Sequence, residues 1–327
     1  MRLALLSALS LVFVACSAGR MGEDGGGAPP DAGALADGGT VKLTAQGGTL
    51  ADLRFAVVGD TRPKNADDNA NYPTAVITQI YKDLAMVTAP PLFAVSTGDY
   101  QYVTSGQSTS ATNADIQIGD YLGAAANFAG ALFPAMGNHE CTGYTDSECG
   151  PSGNDGLTDN YKTFLSKMLA PLGVATPYYS VPLRAADGSW TAKIVVTAAN
   201  AWDSTQSDWL TQTMGQATTY TFVIRHEPSE DAARLQAIGD IDTILGGFPY
   251  TLLIVGHTHT FEHSTQSVRE VIVGNGGVPG TRGTFGFAMV SRQGDGSIKV
   301  EQYDETSAAP TPNGVSFTVN AAGQPAN

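Results

Sequence analysis

The feature that most constrains this chain is residues 252–263, which read Leu-Leu-Ile-Val-Gly-His-Thr-His-Thr-Phe-Glu-His. A short branched apolar run followed by Gly256 is typical of a buried strand that ends at the glycine. If the backbone stays extended beyond that point, His257 and His259 face the same side. Two imidazoles placed in this way favour a metal site that carboxylates complete. A strand end whose histidines only make hydrogen bonds is the alternative.

Four other apolar runs end in the same way, with an Asp, Asn or His directly after the strand. The runs are 53–60, ending in Asp60; 92–99, ending in Asp99; 132–140, ending in Asn138-His139-Glu140; and 220–227, ending in His226-Glu227. Ligands of open α/β sheets bind beyond the carboxyl ends of the strands. We therefore expect these side chains to converge on one site.

Helix-like segments lie between these runs. Apolar residues recur at helical spacing in residues 74–87, 115–128, 161–169, 207–214 and 231–245. Strands that alternate with helices indicate an α/β fold. The chain has 327 residues, of which 42% are hydrophobic, so it can bury a large core. We predict one large domain over residues 49–327.

The ordered set of motifs resembles the calcineurin-like metallophosphoesterases, the superfamily that includes the purple acid phosphatases. The motifs are Gly59-Asp60, Gly98-Asp99, Gly137-Asn138-His139-Glu140, His226 and Gly256-His257-Thr258-His259, and they hold four of the five histidines. The resemblance implies a four-layer α-β-β-α sandwich, in which helices flank two mixed sheets. It also implies one or two transition metal ions, Fe, Zn or Mn, between the strand ends.

The resemblance assigns a role to each of these residues. Asp99 would bridge two metal ions, one held with Asn138, His226 and His257, the other with Asp60 and His259. His139 would protonate the leaving alkoxide or stabilise the transition state; a histidine that only makes hydrogen bonds in its loop is the alternative. The implied reaction is hydrolysis of a phosphate mono- or diester by hydroxide that the metal ions generate from water.

Arg62 departs from the family pattern, which has Asp-x-His where this chain reads Asp60-Thr61-Arg62. A guanidinium has no lone pair for a metal ion, so the first metal would be weakly held or absent. Arg62 would instead clamp a substrate phosphate, or it would pair with Asp60 or another acid. The departure also leaves a second function open, that of a metal-binding protein with weak or no catalysis.

The amino terminus reads as an export signal. Met1-Arg2 precedes a short apolar run, which predicts a signal peptide over residues 1–15. The run ends at Cys16 and resembles a lipoprotein signal, with Cys16 as the lipidated residue; a plain secreted or periplasmic protein is the alternative. Residues 16–48 are rich in Gly, Ala, Asp and Pro and predict a flexible tether. We expect anchoring in the outer membrane of a diderm bacterium, and a monomer.

Two further features bear on chemistry and partners. In an exported protein Cys141 and Cys149 are expected to form a disulfide beside His139, with paired metal-binding thiolates as the alternative. The formal net charge of −14 argues against binding to nucleic acid by charge. It also repels an anionic substrate, so a local positive centre is needed to hold a phosphate ester.

Overall fold

The computed structural model describes residues 43–326, with the exception of Thr265, Gln266, Val268, Arg282 and Ser307. The expected signal peptide, Cys16 and residues 16–42 of the expected tether lie outside the described residues. Within the described part of the chain, no helix is long and apolar enough to cross a membrane. Leu43 is buried in the core, and the first strand begins at Gly48, ahead of the domain boundary expected at residue 49.

The described residues form thirteen strands. They are β1 (Gly48–Leu50), β2 (Arg54–Val58), β3 (Phe93–Ser96), β4 (Ala131–Pro134), β5 (Tyr179–Ala185), β6 (Thr191–Val196), β7 (Tyr220–Ile224), β8 (Leu252–Val255), β9 (Phe261–His263), β10 (Glu270–Val273), β11 (Gly286–Arg292), β12 (Ile298–Asp304) and β13 (Pro312–Val319). The five runs predicted as strands correspond to β2, β3, β4, β7 and β8.

Five α-helices connect the strands of the described chain. They are α1 (Thr74–Met86), α2 (Ser110–Ala125), α3 (Asp159–Phe164), α4 (Ser204–Gly215) and α5 (Gln236–Gly246). A π-helical turn, Leu165–Leu169, continues α3, and short 3₁₀ turns span Asn138–Glu140, Ala170–Leu172, Ala199–Ala201 and Ser229–Ala233. All five segments predicted as helical therefore contain helix, although their ends differ.

The strands form two mixed sheets. The first has the order β13-β12-β11-β2-β3-β4, with β2, β3 and β4 parallel and the other pairs antiparallel. The second has the order β1-β5-β6-β7-β8-β10-β9, with a parallel block from β6 to β10. Parallel neighbours place their carboxyl ends at the same edge of a sheet, which is where the site residues follow.

The two sheets pack face to face through large apolar side chains. Phe55 of β2 stacks on Phe93 within its own sheet, and its ring meets the edge of Phe222 of β7 with 5.1 Å between centroids. Along β7, Phe222 faces this core, while the neighbouring Val223 packs with residues of α4 and α5. Both faces of β7 are therefore buried, because successive side chains of a strand point to opposite faces.

Helices cover the outer faces of the sheets. Tyr81 of α1 and Tyr121 of α2 meet edge to face over the first sheet, and Leu210 of α4 and Ile241 of α5 pack on the second. The predicted α/β architecture, two mixed sheets flanked by helices, is confirmed.

Candidate metal centre

Four of the site residues lie in tight turns directly after strands. Asp60, Asp99, His257 and His259 have positive φ angles of 58°, 60°, 73° and 58°. The chain after β8 is therefore not extended, and the prediction that His257 and His259 face the same side of a strand is wrong. Gly256 permits the turn, because a Cβ there would lie 2.5 Å from Asp60 Oδ2. The left-handed turns send the two imidazoles to different clusters.

Glu140 holds two of these turns together. Its Oε2 accepts hydrogen bonds from the backbone N–H groups of Asp99, at 2.8 Å, and Gly137, at 2.9 Å. Its Oε1 accepts from the N–H of Tyr100 at 2.9 Å. Burial raises the pKa of Glu140 to about 8, and the charge of Asp99 adds to the effect. The sequence placed Glu140 in a motif but gave it no role. In the structure, Glu140 holds the turn at Asp99 in place through these hydrogen bonds.

Four acceptor atoms converge at the ends of β3, β4, β7 and β8, and we call Asp99, Asn138, His226 and His257 the four-residue cluster. Asn138 Oδ1 lies 3.1 Å from His226 Nε2 and 3.1 Å from His257 Nδ1. The two ring nitrogens are themselves 3.1 Å apart. Asp99 Oδ1 lies 3.3 Å from His226 Nε2. All four residues were predicted as metal ligands, and the structure brings them together.

The remaining polar atoms of these side chains are held from outside the cluster. His226 Nδ1 lies 2.8 Å from the carbonyl oxygen of Thr97, to which it donates, so Nε2 faces the cluster. Asn138 Nδ2 donates to the carbonyl of Gly143 at 2.8 Å, which turns Oδ1 inward. His257 Nε2 lies 3.3 Å from Thr145 Oγ1, leaving Nδ1 to face the cluster.

This arrangement of donors fits a metal ion. Several lone pairs that face one another at about 3 Å repel unless a cation or a proton lies between them. The mixture of imidazole nitrogen and carboxylate or amide oxygen suits Fe, Zn and Mn ions. The donor set of the four-residue cluster therefore fits such an ion.

A second group, Asp60, Asp99 and His259, also has ligand atoms within 4.8 Å of one another, and we call it the three-residue cluster. Asp60 is fully buried, and its Oδ2 accepts the backbone N–H of His257 at 2.9 Å. Asp60 Oδ1 makes no hydrogen bond to any described residue and lies 3.6 Å from His259 Nε2. The three-residue cluster consists of the residues that were predicted to hold the first metal ion.

Arg62 reaches into the three-residue cluster. Its Nε donates to Asp99 Oδ2 at 3.3 Å, and its Nη2 lies 3.4 Å from His259 Nε2. Nη1 donates to the carbonyl of Pro63 at 3.1 Å, and the guanidinium lies over the ring of Tyr102 at 4.8 Å. Of the two predicted arrangements for Arg62, the structure contains an ion pair with an acid, and that acid is Asp99.

His139 lies beside the same carboxylate. Its backbone N–H donates to Asp99 Oδ1 at 3.1 Å, and its Nε2 lies 3.8 Å from Asp99 Oδ2. The ring meets the edge of Tyr102 with 4.4 Å between centroids. Burial lowers the pKa of His139 to about 3. His139 and Arg62 thus contact the same carboxylate and the same tyrosine ring.

Burial dominates the electrostatics of the centre. It raises the pKa of Asp60 to about 7 and lowers the pKa of His257 to about 3 and that of His259 to about 4. Burial also raises the pKa of Asp99, but the charges of His226 and Arg62 outweigh it and hold that pKa well below its usual range. In turn, Asp99 outweighs burial at His226 and holds the pKa of that imidazole well above its usual range. Neutral imidazoles are the form that binds metal ions.

The Cys141–Cys149 disulfide closes the loop beside the four-residue cluster, with 5.6 Å between the two Cα atoms. Buried Asn200 clamps this loop, because its Nδ2 donates to the carbonyl oxygens of Thr145 and Ser147, both at 2.9 Å. The expected bridge is present in the structure. It places Thr145 against His257, a contact that the spacing of the cysteines does not predict.

A cavity of about 460 Å³ opens between this loop and the turn before α5. It is lined by Gly143, Tyr144, Thr145, Asp146 and Arg234. Arg234 also pairs with Asp231 at 3.6 Å, and Asp231 in turn lies 3.6 Å from His257 Nε2. The cavity therefore borders the four-residue cluster through Thr145, whose hydroxyl lies 3.3 Å from His257 Nε2.

Residues 53–261 match the calcineurin-like phosphoesterase family, Metallophos, over more than half of the sequence. The chain belongs to the calcineurin-like phosphoesterase family. The family is one of phosphoesterases, which are hydrolases that act on phosphate esters. The resemblance that the motifs indicated is thereby confirmed for the fold, the family and the class of enzyme. No curated protein matches the sequence significantly.

Solved structures of the same fold come from several organisms. A purple acid phosphatase from yellow lupin, Lupinus luteus, has a TM-score of 0.54 at 14% identity; the match covers 85% of this chain and 55% of the lupin chain. A dimetal phosphatase from Danio rerio has a TM-score of 0.55 at 11% identity, covering 83% of this chain and all of that one. The phosphoesterase thus spans little more than half of the lupin enzyme.

A third similar structure is GAP50, the anchor in the inner membrane complex of Plasmodium. Its TM-score is 0.51 at 14% identity, and the match covers 84% of this chain and 90% of GAP50. At identities this low the likeness concerns the fold alone. The fold is therefore found both in phosphatases and in a protein described as an anchor.

Proposed function

We propose that this phosphoesterase hydrolyses a phosphate mono- or diester on the extracytoplasmic side of the cell. The observation that carries the proposal is the four-residue cluster. Asn138 Oδ1, His226 Nε2 and His257 Nδ1 lie 3.1 Å from one another, and Asp99 Oδ1 lies 3.3 Å from His226 Nε2. An ion bound there supplies Lewis acidity and lowers the pKa of a water molecule.

The residues around the cluster bind and orient the ester. Arg62 carries a fixed positive charge beside Asp99, and its planar fork of N–H groups matches the oxygens of a phosphoryl group. His139 lies on the other side of the same carboxylate and offers an imidazole to the leaving oxygen. Both side chains are almost fully buried, which strengthens their interaction with a charged substrate.

The charge distribution supports a small substrate held locally. With a net charge of −14 the protein repels anions at a distance, so binding depends on the ion and Arg62. The cavity beside His257 gives room for the group that the phosphate carries. It is lined by Tyr144, 71% exposed, and by Arg234. These features favour a small phosphate ester over nucleic acid.

The location outside the cytoplasm is part of the proposal. Residues 1–15 have the pattern of a signal peptide, and Cys16 has the position of a lipidated cysteine. The Cys141–Cys149 bridge supports export, because disulfides persist in oxidising compartments. We infer a lipid-anchored protein of the outer membrane, with a secreted or periplasmic protein as the alternative. Labelling with radioactive palmitate distinguishes the two. A lipid-anchored protein should take up the label in the unchanged full-length chain and lose it in Cys16→Ala, whereas a secreted or periplasmic protein should take up no label.

The test combines metal analysis with hydrolysis of generic substrates. Elemental analysis of the purified protein should find a transition metal, and p-nitrophenyl phosphate or bis-p-nitrophenyl phosphate should be hydrolysed. His257→Ala should lose both the metal and the activity. His263→Ala is the matched control, because His263 stacks on Phe317 and is not one of the proposed ligands, and it should keep both. Equal metal content in the two variants would contradict the proposal.

A metal-binding protein without significant catalysis is the second candidate. The observation that favours it is Arg62, whose guanidinium is already paired with Asp99 and His259. The same fold in GAP50, described as an anchor, fits this candidate. It predicts that metal-loaded protein binds inorganic phosphate in calorimetry and hydrolyses neither substrate. Turnover that disappears in His257→Ala and is kept in His263→Ala would exclude it.

A further inference from the structure

The two carboxylate oxygens of Asp99 face different partners. Oδ1 faces the four-residue cluster, 3.3 Å from His226 Nε2. Oδ2 faces the Arg62 guanidinium, with 3.3 Å to Nε. Through its two oxygens, Asp99 thus joins the four-residue cluster to the guanidinium. In this chain the positive group at the second oxygen is an arginine.

The guanidinium is held in this place from several directions. Besides Asp99, it contacts His259 Nε2, the carbonyl oxygen of Pro63 and the face of the Tyr102 ring. Its side chain is only 12% exposed. Arginine stays protonated in proteins, so this positive charge is permanent. Moving it out would leave Asp99 Oδ2 and the ring of Tyr102 with His139 alone.

This position of Arg62 uses two of the three ligand atoms of the three-residue cluster. The Nη2 group is a donor only, so its contact with His259 directs a hydrogen at the Nε2 lone pair, and that lone pair cannot bind a metal ion at the same time. Asp99 Oδ2 likewise accepts from Nε. A divalent ion in reach of both atoms would also lie close to the guanidinium charge, in a buried site where the repulsion is weakly screened.

We propose that the protein binds a single ion, at the four-residue cluster, and that the Arg62 guanidinium takes the place of a second ion between Asp99 and His259. The inference rests on the metal centre of the proposed function. A phosphoryl group in the centre is then held between one ion and one guanidinium, which together supply the positive charge that its oxygens need.

In this arrangement Asp60 is a positioning residue. Its Oδ2 accepts the backbone N–H of His257 at 2.9 Å and so holds the turn that presents this imidazole to the ion. Asp60 Oδ1 makes no hydrogen bond within the described chain. Removing the guanidinium would therefore leave Asp60, Asp99 and His259 with ligand atoms within 4.8 Å of one another and ready for an ion.

The test counts ions instead of measuring turnover. Wild type, Arg62→His and Arg62→His with Asp60→Asn are saturated with Mn²⁺, desalted and analysed for manganese and protein. Arg184→His, at an exposed arginine whose Nε donates to Thr49, is the matched control. We expect one ion per chain in wild type, in the control and in the double variant, and two in Arg62→His, where the added imidazole completes the three-residue cluster.

Electron paramagnetic resonance of the same samples gives an independent readout. Wild type should have the hyperfine pattern of an isolated Mn²⁺ ion, and Arg62→His the broadened spectrum of an exchange-coupled pair. Should Arg62→His fail to fold, Arg62→Ala replaces it, and its second ion should bind more weakly than the first. Two ions in wild type, or one ion in both the Arg62→His and the Arg62→Ala proteins, would overturn the inference. No ion in folded wild type would overturn the proposed function with it.

Discussion

His257 and Asp231 face each other at the edge of the metal centre, with 3.6 Å between Nε2 and Oδ2. Asp231 lies in the 3₁₀ turn Ser229–Ala233, and Thr145 of the disulfide loop approaches the same nitrogen. A carboxylate behind a histidine fixes the ring and its tautomer and makes the other nitrogen a better ligand. Two segments that carry none of the recognised motifs thus support one of the four proposed ligands.

Asp231→Asn should weaken ion binding without unfolding the protein. Loss of the charge behind a ligating imidazole typically lowers metal affinity by about 10-fold or more. Competition with a chromophoric chelator measures the affinity, and Asp240→Asn, on the exposed surface of α5, is the control. Equal affinities in the two variants would mean that Asp231 does not act through His257.

Gly98→Ala should disrupt the four-residue cluster. A Cβ at Gly98 would lie 2.8 Å from His226 Nδ1, and the residue has a φ of 111°. Gly106 is the matched control, with a φ of 78° and nothing within 4 Å of an added Cβ. Both substitutions should lower the free energy of unfolding by about 1–3 kcal/mol, because alanine is strained at positive φ. Only Gly98→Ala should also lose the ion. Calorimetric unfolding and metal analysis separate the two effects, and an ion retained in Gly98→Ala would contradict the prediction.

Replacing Cys141 and Cys149 with alanine should lower the free energy of unfolding by about 2–3 kcal/mol. The reason is that the disulfide closes a short loop and so reduces the entropy of the unfolded chain. Because the loop carries Thr145, ion affinity should fall as well. Denaturant titration gives the stability, and mass spectrometry of a non-reduced digest should find the two cysteines joined in wild type. Thr145→Val, which keeps the bridge, should lower only the affinity.

Phe55→Ala should destabilise the fold by about 3–5 kcal/mol, because Phe55 fills the contact between the sheets with Phe93 and Phe222. Phe55→Leu should lose less, since it leaves a smaller cavity. In a double-mutant cycle with Phe222→Ala, urea titrations should give a coupling free energy, because the rings touch. Additive losses would mean that the two rings do not support each other.

The sequence was sufficient to predict the architecture and the residues at the strand ends. β2, β3, β7 and β8 are short apolar runs, and both faces of such strands are buried, so their pattern is strong. The start of α5 was predicted less well. The segment predicted from residue 231 begins as the 3₁₀ turn Ser229–Ala233, and α5 itself starts at Gln236. Pro228 and the acidic residues after it favour such a turn. The helix was predicted from the spacing of apolar residues alone, and that spacing does not distinguish a 3₁₀ turn from the start of an α-helix.

The supporting contacts could not be predicted, because they join segments far apart in the chain. Thr145 is 112 residues from His257, and Thr97 is 129 residues from His226. The second contact uses the backbone carbonyl of Thr97, so the identity of the side chain at position 97 does not predict it. Glu140 was visible in its motif, yet its task of binding three backbone N–H groups became clear only from the structure.

The left-handed turns at Asp60, Asp99, His257 and His259 lower the stability of the fold but place the proposed metal ligands. They account for four of the five non-glycine residues with positive φ in the described chain. Each such residue destabilises the folded state by about 1 kcal/mol or more, and glycine would relieve it. Glycine at any one of these four positions should therefore raise the free energy of unfolding while it removes a proposed ligand of the metal centre.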